Sequence, residues 1–420
     1  MEAPGHLLRT RGDDGPERPG GRGRPRPQAP GPEALVGTTA TLVADDDALV
    51  SLVDQVREAE AYALDAEFHG ERSYYPRLAV LQLAMAERVA VVDATAVDVR
   101  PLGAVLQGPG LMVAHAGEQD LQVLARSTGT IPARMLDTQL AAGFLGFKSP
   151  SLARLVGELL GVRLEKGSRM TDWFKRPLTA DQVAYAADDV AYLLELRSVL
   201  EERLVAAGRL VWAYEESERH RRVREPDPAT AWWRLKGSRR LRGTSRALAQ
   251  ELAAWRERVA MASDKPARRV LADEAVLLLA ERAPRTSREM PKSRLFEPKR
   301  LSPETVDGLL EAVGRGRDLA PGDLWLPPDD DLPPHLQPLA ALLGAWVAQR
   351  GRDLSIDSAL LATRADIDAF LRRVPGSRLE QGWRAELVGS TVGRLAAGEA
   401  AVAFDGKGAL VLVDRQSPRC

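Results

Sequence analysis

Cysteine is nearly absent: of 420 residues only the last, Cys420, carries a thiol. A disulfide within the chain is therefore excluded, as are a cysteine-based zinc site and a cysteine nucleophile. Long hydrophobic runs are missing as well. No stretch approaches the roughly 18 apolar residues of a membrane span, and the richest, Ala275 to Ala280, is short and flanked by charge. The first residues, MEAPGHLLRTRGDDG, lack the apolar core of a secretory signal. A cytoplasmic protein with no membrane partner is the expectation. An excess of one charge is also lacking, since 58 Lys and Arg stand against 59 Asp and Glu, a formal net of −1. That average by itself argues against a nucleic-acid partner.

The average conceals an asymmetry. Residues 37–215 hold 17 basic and 25 acidic side chains, whereas 230–300 hold 18 basic and 8 acidic. An acidic block beside a basic one fits a metal-binding module tethered to a polyanion-binding one, although solvated helix faces of opposite sign would give the same count. The length suits two to four domains rather than one.

Seams can be placed along the chain. Residues 1–36 contain seven Pro and seven Gly with almost no apolar periodicity, the composition of a disordered tail. From residue 39 strand-like runs come first (TATLVAD, AYALDAEF, LAVLQLAM, RVAVVDA, LMVAH), interrupted by short helical patterns. Helical patterns then take over, at DLQVLARS, DTQLAAGFLG, SLARLVGELLG and DQVAYAADDVAYLLELRSVLEERL. A mixed α/β sheet with helices packed on it is expected over 37–215. An all-α domain should follow over 216–315, then a Pro-rich acidic linker over 316–334 (PGDLWLPPDDDLPPH) and a second helical cluster over 335–420. The two clusters share a faint echo, Arg282, Pro284, Ser287 and Arg288 against Arg373, Pro375, Ser377 and Arg378, which hints at a duplicated module.

The candidate chemistry lies in carboxylates. Asp65 and Glu67 alternate along a strand, so both face one side, where a pair of acids can bind a hard cation. Asp-x-Glu alone recurs once or twice by chance in such a chain. Asp120 falls in the first turn of a helix after the strand ending at His115, a position that the helix dipole also favours for an acid with no other role. His115, at the end of an apolar strand, reads as a hydrogen-bonded structural residue and stays outside the catalytic set. Tyr185 and Asp189, four apart on a helix, share a face one turn apart, whereas Asp188 points about 100° away.

In this order the pieces resemble the DEDD 3'-5' exonucleases of the subgroup that carries a tyrosine. The words LDAEF, HAGEQDL, WFKRPL (Trp173 to Leu178) and YAADDVAYLLEL resemble the ribonuclease D family in particular, and the basic helical block is similar to the HRDC domain, with the last cluster as a more divergent second copy. The resemblance implies an α/β exonuclease domain followed by two small all-α HRDC-type domains. It implies that Asp65 bridges two divalent ions, that Glu67 and Asp189 complete the first site, that Asp120 holds the second, and that Tyr185 orients the attacking water. Physics agrees on the cofactor: four carboxylates in one pocket repel each other unless cations occupy it, and oxygen-only ligands select Mg²⁺ or Mn²⁺. The expected reaction is hydrolysis of RNA phosphodiesters from the 3' end to 5'-monophosphates, with tRNA or other structured precursors as partners.

Substrate retention needs positive charge, and Arg234, Lys236, Arg239, Arg240, Arg242 and Arg246 follow the aromatic pair Trp232 and Trp233. The arginines could neutralise phosphates and the rings stack on bases; burial of both tryptophans is the plainer alternative. Trp173 and Arg176 either line the substrate groove or pack against the late helix. Two other functional readings stay open at this point: a DNA exonuclease of the same superfamily, since no residue marks recognition of a 2'-hydroxyl, and a non-catalytic RNA-binding protein.

Overall fold

The computed structural model describes residues 40–415 apart from 87, 165–170, 224, 295 and 328–331; the Pro- and Gly-rich segment 1–36 and Cys420 lie outside the described residues. Among those described, no helix is long and apolar enough to cross a membrane. Apolar alternation produces β1 (Thr41–Val43), β2 (Ala61–His69), β3 (Arg77–Met85), β4 (Arg88–Asp93) and β5 (Leu111–Ala114), as expected. A sixth strand, β6 (Met135–Asp137), was not anticipated. Three residues are too few for a two-residue period to show, and pairing with β5 decides the matter. The sheet runs β1-β4-β3-β2-β5-β6. The β2–β3 and β3–β4 pairs are antiparallel and the others parallel.

Each face of the sheet has its own helices. Tyr62, Leu64, Leu81, Leu83 and Met112 point to a core shared with α1 (Asp46–Arg57), α2 (Gly103–Leu106) and α3 (Glu118–Thr128). Ala63, Val80, Ala84 and Val113 point the other way, toward α4 (Thr138–Gly143), α5 (Leu152–Leu159), α6 (Ala180–Ala191), α7 (Leu193–Ala206) and α8 (Leu210–His220). The long helix expected after Asp181 is broken at Tyr192, which ends α6 and opens α7. Because Ala213 of α8 is buried in this same core, the α/β domain runs on past residue 215.

The basic block folds into α9 (Thr244–Ser263), α10 (Ala267–Val270), α11 (Asp273–Arg282) and α12 (Pro303–Asp318) around a separate core that includes Leu252, Val276, Leu279, Leu309 and Val313. The segment read as a linker is tied down at its described ends: the Trp325 backbone N–H donates to Gln250 at 2.7 Å, and the carbonyl of the buried Leu332 accepts from the Gln337 side chain at 3.0 Å. Beyond it come α13 (Gln337–Leu354), α14 (Ser358–Leu361), α15 (Arg364–Leu371), α16 (Gly382–Arg384) and α17 (Ser390–Ala396). The all-α reading of this cluster ends there. Residues Ala400–Phe404 (β7) and Leu410–Asp414 (β8) form an antiparallel hairpin whose turn is fixed by Asp405, which accepts the N–H groups of Lys407 and Ala409.

The faint echo in sequence has a structural counterpart. In both helical modules a long helix ends on a left-handed residue, Asp264 (φ 47°) or Ser355 (φ 49°), and a four-residue helix, a further helix and a 3₁₀ turn follow in the same order. Both modules also dock by that corner. Asp264 accepts the backbone N–H groups of Tyr74 and Tyr75, each at 3.1 Å. The carbonyls of Leu354 and Ser355 accept from Arg209, and the Asp357 N–H donates to Gly143.

Candidate active site

The chemistry starts from the alternation of β2. With Tyr62, Leu64 and Ala66 buried on one face, Asp65 and Glu67 must share the other, the face covered by α6. Between Glu67 and Phe68 the register with β3 slips, a bulge that ends regular pairing just past the second acid. Helix α6 is started by a capping box, with Thr179 accepting from Gln182 N–H and the Gln182 side chain accepting from Thr179 N–H. This cap sets the rotation that presents Tyr185 and Asp189 to the sheet. One carboxylate oxygen each from Asp65, Glu67 and Asp189 lies within 4.8 Å of the other two. Burial and then the charge of the neighbouring Asp188 raise the pKa of Tyr192, one turn on.

Asp120 stands just outside this trio and is 6% exposed in the first turn of α3. Its charge reaches both strand acids. Asp65 is held well above the ordinary carboxylate range, first by burial and then by Asp120, Asp189 and Glu67. Burial, then Asp189 and Asp120, push Glu67 up to about 7, and Asp120 itself is pushed up to about 7 by burial, with Asp137 adding to it. Four acids that cannot all ionise together without help are the arrangement a hard divalent cation stabilises.

Two residues that sequence reasoning passed over complete the site. The carboxylate of Asp137 is buried and accepts four backbone N–H groups: Ala116 at 3.1 Å and Gly117 at 3.0 Å, in the turn before α3, and Gln139 at 2.8 Å and Leu140 at 3.3 Å, at the start of α4. It locks the turn that aims Asp120, a turn in which Ala116 is left-handed (φ 58°) and a Cβ on residue 117 would stand 2.8 Å from that of Ala114. Gln82 is the second. It lies directly across from Asp65 in the β2–β3 register, is wholly buried, and neither atom of its amide has a hydrogen-bond partner among the described residues. The signal was a lone polar residue inside LAVLQLAM.

His115 is structural, as read: its ring nitrogens meet Thr138 Oγ1 at 3.0 Å and the Pro150 carbonyl at 3.1 Å, and burial lowers its pKa. Trp173 is 3% exposed and packs against Tyr185 with ring centroids 6.1 Å apart. Arg176 is tied to the sheet through Asp93 and the Ala79 carbonyl. A cleft of about 630 Å³ opens from Glu67 between the residues after β2 and the Trp173–Phe174 segment, lined by His69, Arg72 and Arg77 among others. The β2–β3 loop that walls it is the loop held by Asp264, and the Tyr74 hydroxyl donates to Glu257 of α9 at 2.7 Å.

The basic stretch requires a correction. Trp232 is wholly buried in the core around α9, and its indole N–H donates to the Trp325 carbonyl at 3.0 Å, so it cannot stack on a base. Trp233 is half-buried against the same core, with Arg239 over its ring. Arg234, Lys236, Arg239, Arg240 and Arg242 are exposed; Arg242 and the half-buried Arg246 also donate to backbone carbonyls at Arg239 and Leu241.

Relatives agree with the geometry. Residues 40–205 match the family described as 3'-5' exonuclease, and 245–313 match the HRDC domain. The chain is 36% identical over 397 residues to ribonuclease D of Acidiphilium cryptum, covering 91% of this chain and 98% of the relative. It is 34% identical over 376 residues to ribonuclease D of Gluconacetobacter diazotrophicus, covering 87% and 95%. The crystal structure of Escherichia coli RNase D, an exoribonuclease involved in structured RNA processing, matches with a TM-score of 0.72 at 31% identity, over 86% of this chain and 99% of that one. With an acid cluster gathered by β2, α3 and α6 and an HRDC domain behind it, the chain belongs to the ribonuclease D family, the 3'-5' exoribonucleases of the DEDD superfamily.

Proposed function

We propose that this chain trims the 3' ends of structured RNA precursors, tRNA among them, one nucleoside 5'-monophosphate at a time. The observation that carries the reading is the meeting of Asp65, Glu67 and Asp189 oxygens within 4.8 Å, with Asp120 close enough to perturb them. Hydrolysis adds water across the last phosphodiester: the water oxygen bonds to phosphorus, the bond to the 3'-oxygen breaks, and the shortened RNA keeps a 3'-hydroxyl.

The donor set fits a pair of divalent cations, Mg²⁺ or Mn²⁺, because every ligand is an oxygen and the orphaned Gln82 amide stands ready to orient Asp65 once it is ionised. Asp65, Glu67 and Asp189 would hold one, and Asp65 with Asp120 the other. Such ions, when bound, neutralise the phosphate and make water acidic enough to attack at neutral pH. Tyr185, one turn before Asp189, orients the attacking water. The cleft beyond Glu67 receives the terminal nucleotide, with Arg77 and the neighbouring rings of His69 and Phe174 on its wall. Trp173, at the edge of that cleft, packs its ring against Tyr185. The C-terminal cluster is a second, divergent HRDC copy, supported by the repeated element order and corner.

The test uses a hairpin RNA with a single-stranded 3' tail, labelled at either end, alongside its DNA counterpart. The 3' label should appear at once as mononucleotide while the 5'-labelled strand shortens stepwise, with DNA cut more slowly. Asp65→Asn and Asp189→Asn should each cut the rate by more than the roughly 10–100-fold typical of outer-shell groups while RNA binding persists. Activity retained in either variant would refute the site.

A further inference from the structure

A second polar pocket lies on the far side of α3. Its volume is about 560 Å³, and α3, the end of α8 and the 3₁₀ turn Arg378–Glu380 of the C-terminal module together line it. At its base Glu216 is 2% exposed and accepts from Arg378 at 2.9 Å and from Arg384 at 2.7 Å. Arg384, also buried, donates to the Leu360 carbonyl at 2.9 Å. Arg378 pairs with Asp366 as well, at 3.1 Å, and His220 stands 3.6 Å from Glu216, so the network consumes the charge of Glu216 and fixes Arg378 as the pocket wall.

Arg219 and Arg222 reach the same pocket from the end of α8. Both are exposed, and neither has an acidic partner within 4.0 Å among the described residues. Among the described lining residues the acid at the surface is Glu118, 71% exposed, beside His220 at 3.9 Å. Three arginines, Arg219, Arg222 and Arg378, thus line the pocket against two acids, Glu118 and Glu216. Arg219 and Arg222, exposed on a polar hollow whose third arginine is already held in place by carboxylates, suit an oxyanion with several acceptor oxygens.

From this convergence we infer that the seam between α8 and the C-terminal module binds a backbone phosphate of the RNA strand upstream of the cleaved end, through Arg219, Arg222 and Arg378. The inference rests on the RNA-trimming reading and gives the C-terminal module a task in it, because the pocket lacks one wall unless that module is docked. The location fits. Glu118 and Asp120 lie two residues apart in α3 and project to nearly opposite sides. Pocket and acid cluster are therefore about one helix diameter apart, roughly 10–12 Å, or about three stacked nucleotides at 3.4 Å each.

The double variant Arg219→Ala/Arg222→Ala tests it in the full chain, since neither side chain holds a contact the fold needs. Affinity for the tailed hairpin RNA is measured from 50 to 300 mM KCl, with hydrolysis of a trinucleotide too short to reach the pocket as control. The variant should bind the hairpin more weakly, and the slope of log affinity against log salt should flatten by about 0.7–1.8, the loss of one or two phosphate contacts. Trinucleotide turnover should be unchanged, and Arg219→Lys/Arg222→Lys should recover most of the slope. An unchanged affinity and slope would overturn the inference. So would calorimetric binding of AMP that the double variant loses while its RNA slope stays intact, because the pocket would then be a product site. A wild-type chain that leaves the 3' tail uncut would instead sink the trimming reading, whatever the variant does.

Discussion

Removing divalent cations and returning them at different pH values probes the acid cluster most directly. In the cation-free fold Glu67 and Asp120 each titrate at about 7, against ordinary values of 4.5 and 3.8. Both folded values are raised, so the native state holds protons that the unfolded chain has released. Cation-free stability therefore falls as pH rises from about 4 through 7. Mg²⁺ needs the ionised carboxylates and must displace those protons. For two groups at about 7, each about 90% protonated at pH 6 and 10% at pH 8, affinity for Mg²⁺ should be roughly 100-fold weaker at pH 6. A free Mg²⁺ concentration 100 times the dissociation constant at pH 8 stabilises the fold by about 2.7 kcal/mol. At about 2–4 °C per kcal/mol for a unit of this size, the melting temperature should rise by roughly 5–10 °C. The same concentration at pH 6 would only equal the dissociation constant, giving about 0.4 kcal/mol and a rise of roughly 1–2 °C. Thermal melts in EDTA and in Mg²⁺ at the two pH values decide the matter. An equal shift at both would mean that the carboxylates are ionised without the metal and that the cluster is looser than described.

Three further outcomes are expected. Gln82→Met should raise cation-free stability by about 1–2 kcal/mol in urea, because it removes an unpartnered buried amide, yet slow RNA hydrolysis roughly 10-fold or more; a destabilised variant would show that the amide is satisfied. Asp137→Ala leaves four N–H groups without their acceptor and should raise the Mg²⁺ concentration for half-maximal hydrolysis by about 10–100-fold, with Asp137→Asn milder because it keeps one acceptor oxygen; an unaltered Mg²⁺ requirement would detach Asp137 from Asp120. Trp232→Ala should destabilise the helical module around α9 by about 3–5 kcal/mol in denaturant, and a variant of full stability with weakened RNA binding would restore the stacking role that burial denies it.

The sequence alone determined whatever depends on short periods and on order. Asp65 and Glu67 share a face because strand side chains alternate, and Tyr185 and Asp189 share one because a helix repeats every 3.6 residues; these regularities hold before any tertiary contact forms. The tertiary structure decided matters of environment, which no local pattern encodes. Two tryptophans followed by arginines look alike whether they face solvent or a core, and only the packing around α9 buried Trp232. Strand β6 and the terminal hairpin were too short, or too closely preceded by a helix, to carry a period of their own, so their pairing partners made them strands. Asp137 and Gln82 had no motif to mark them. Their roles come from meeting residues far away in the chain or across the sheet, and that proximity exists only once the fold has closed around them.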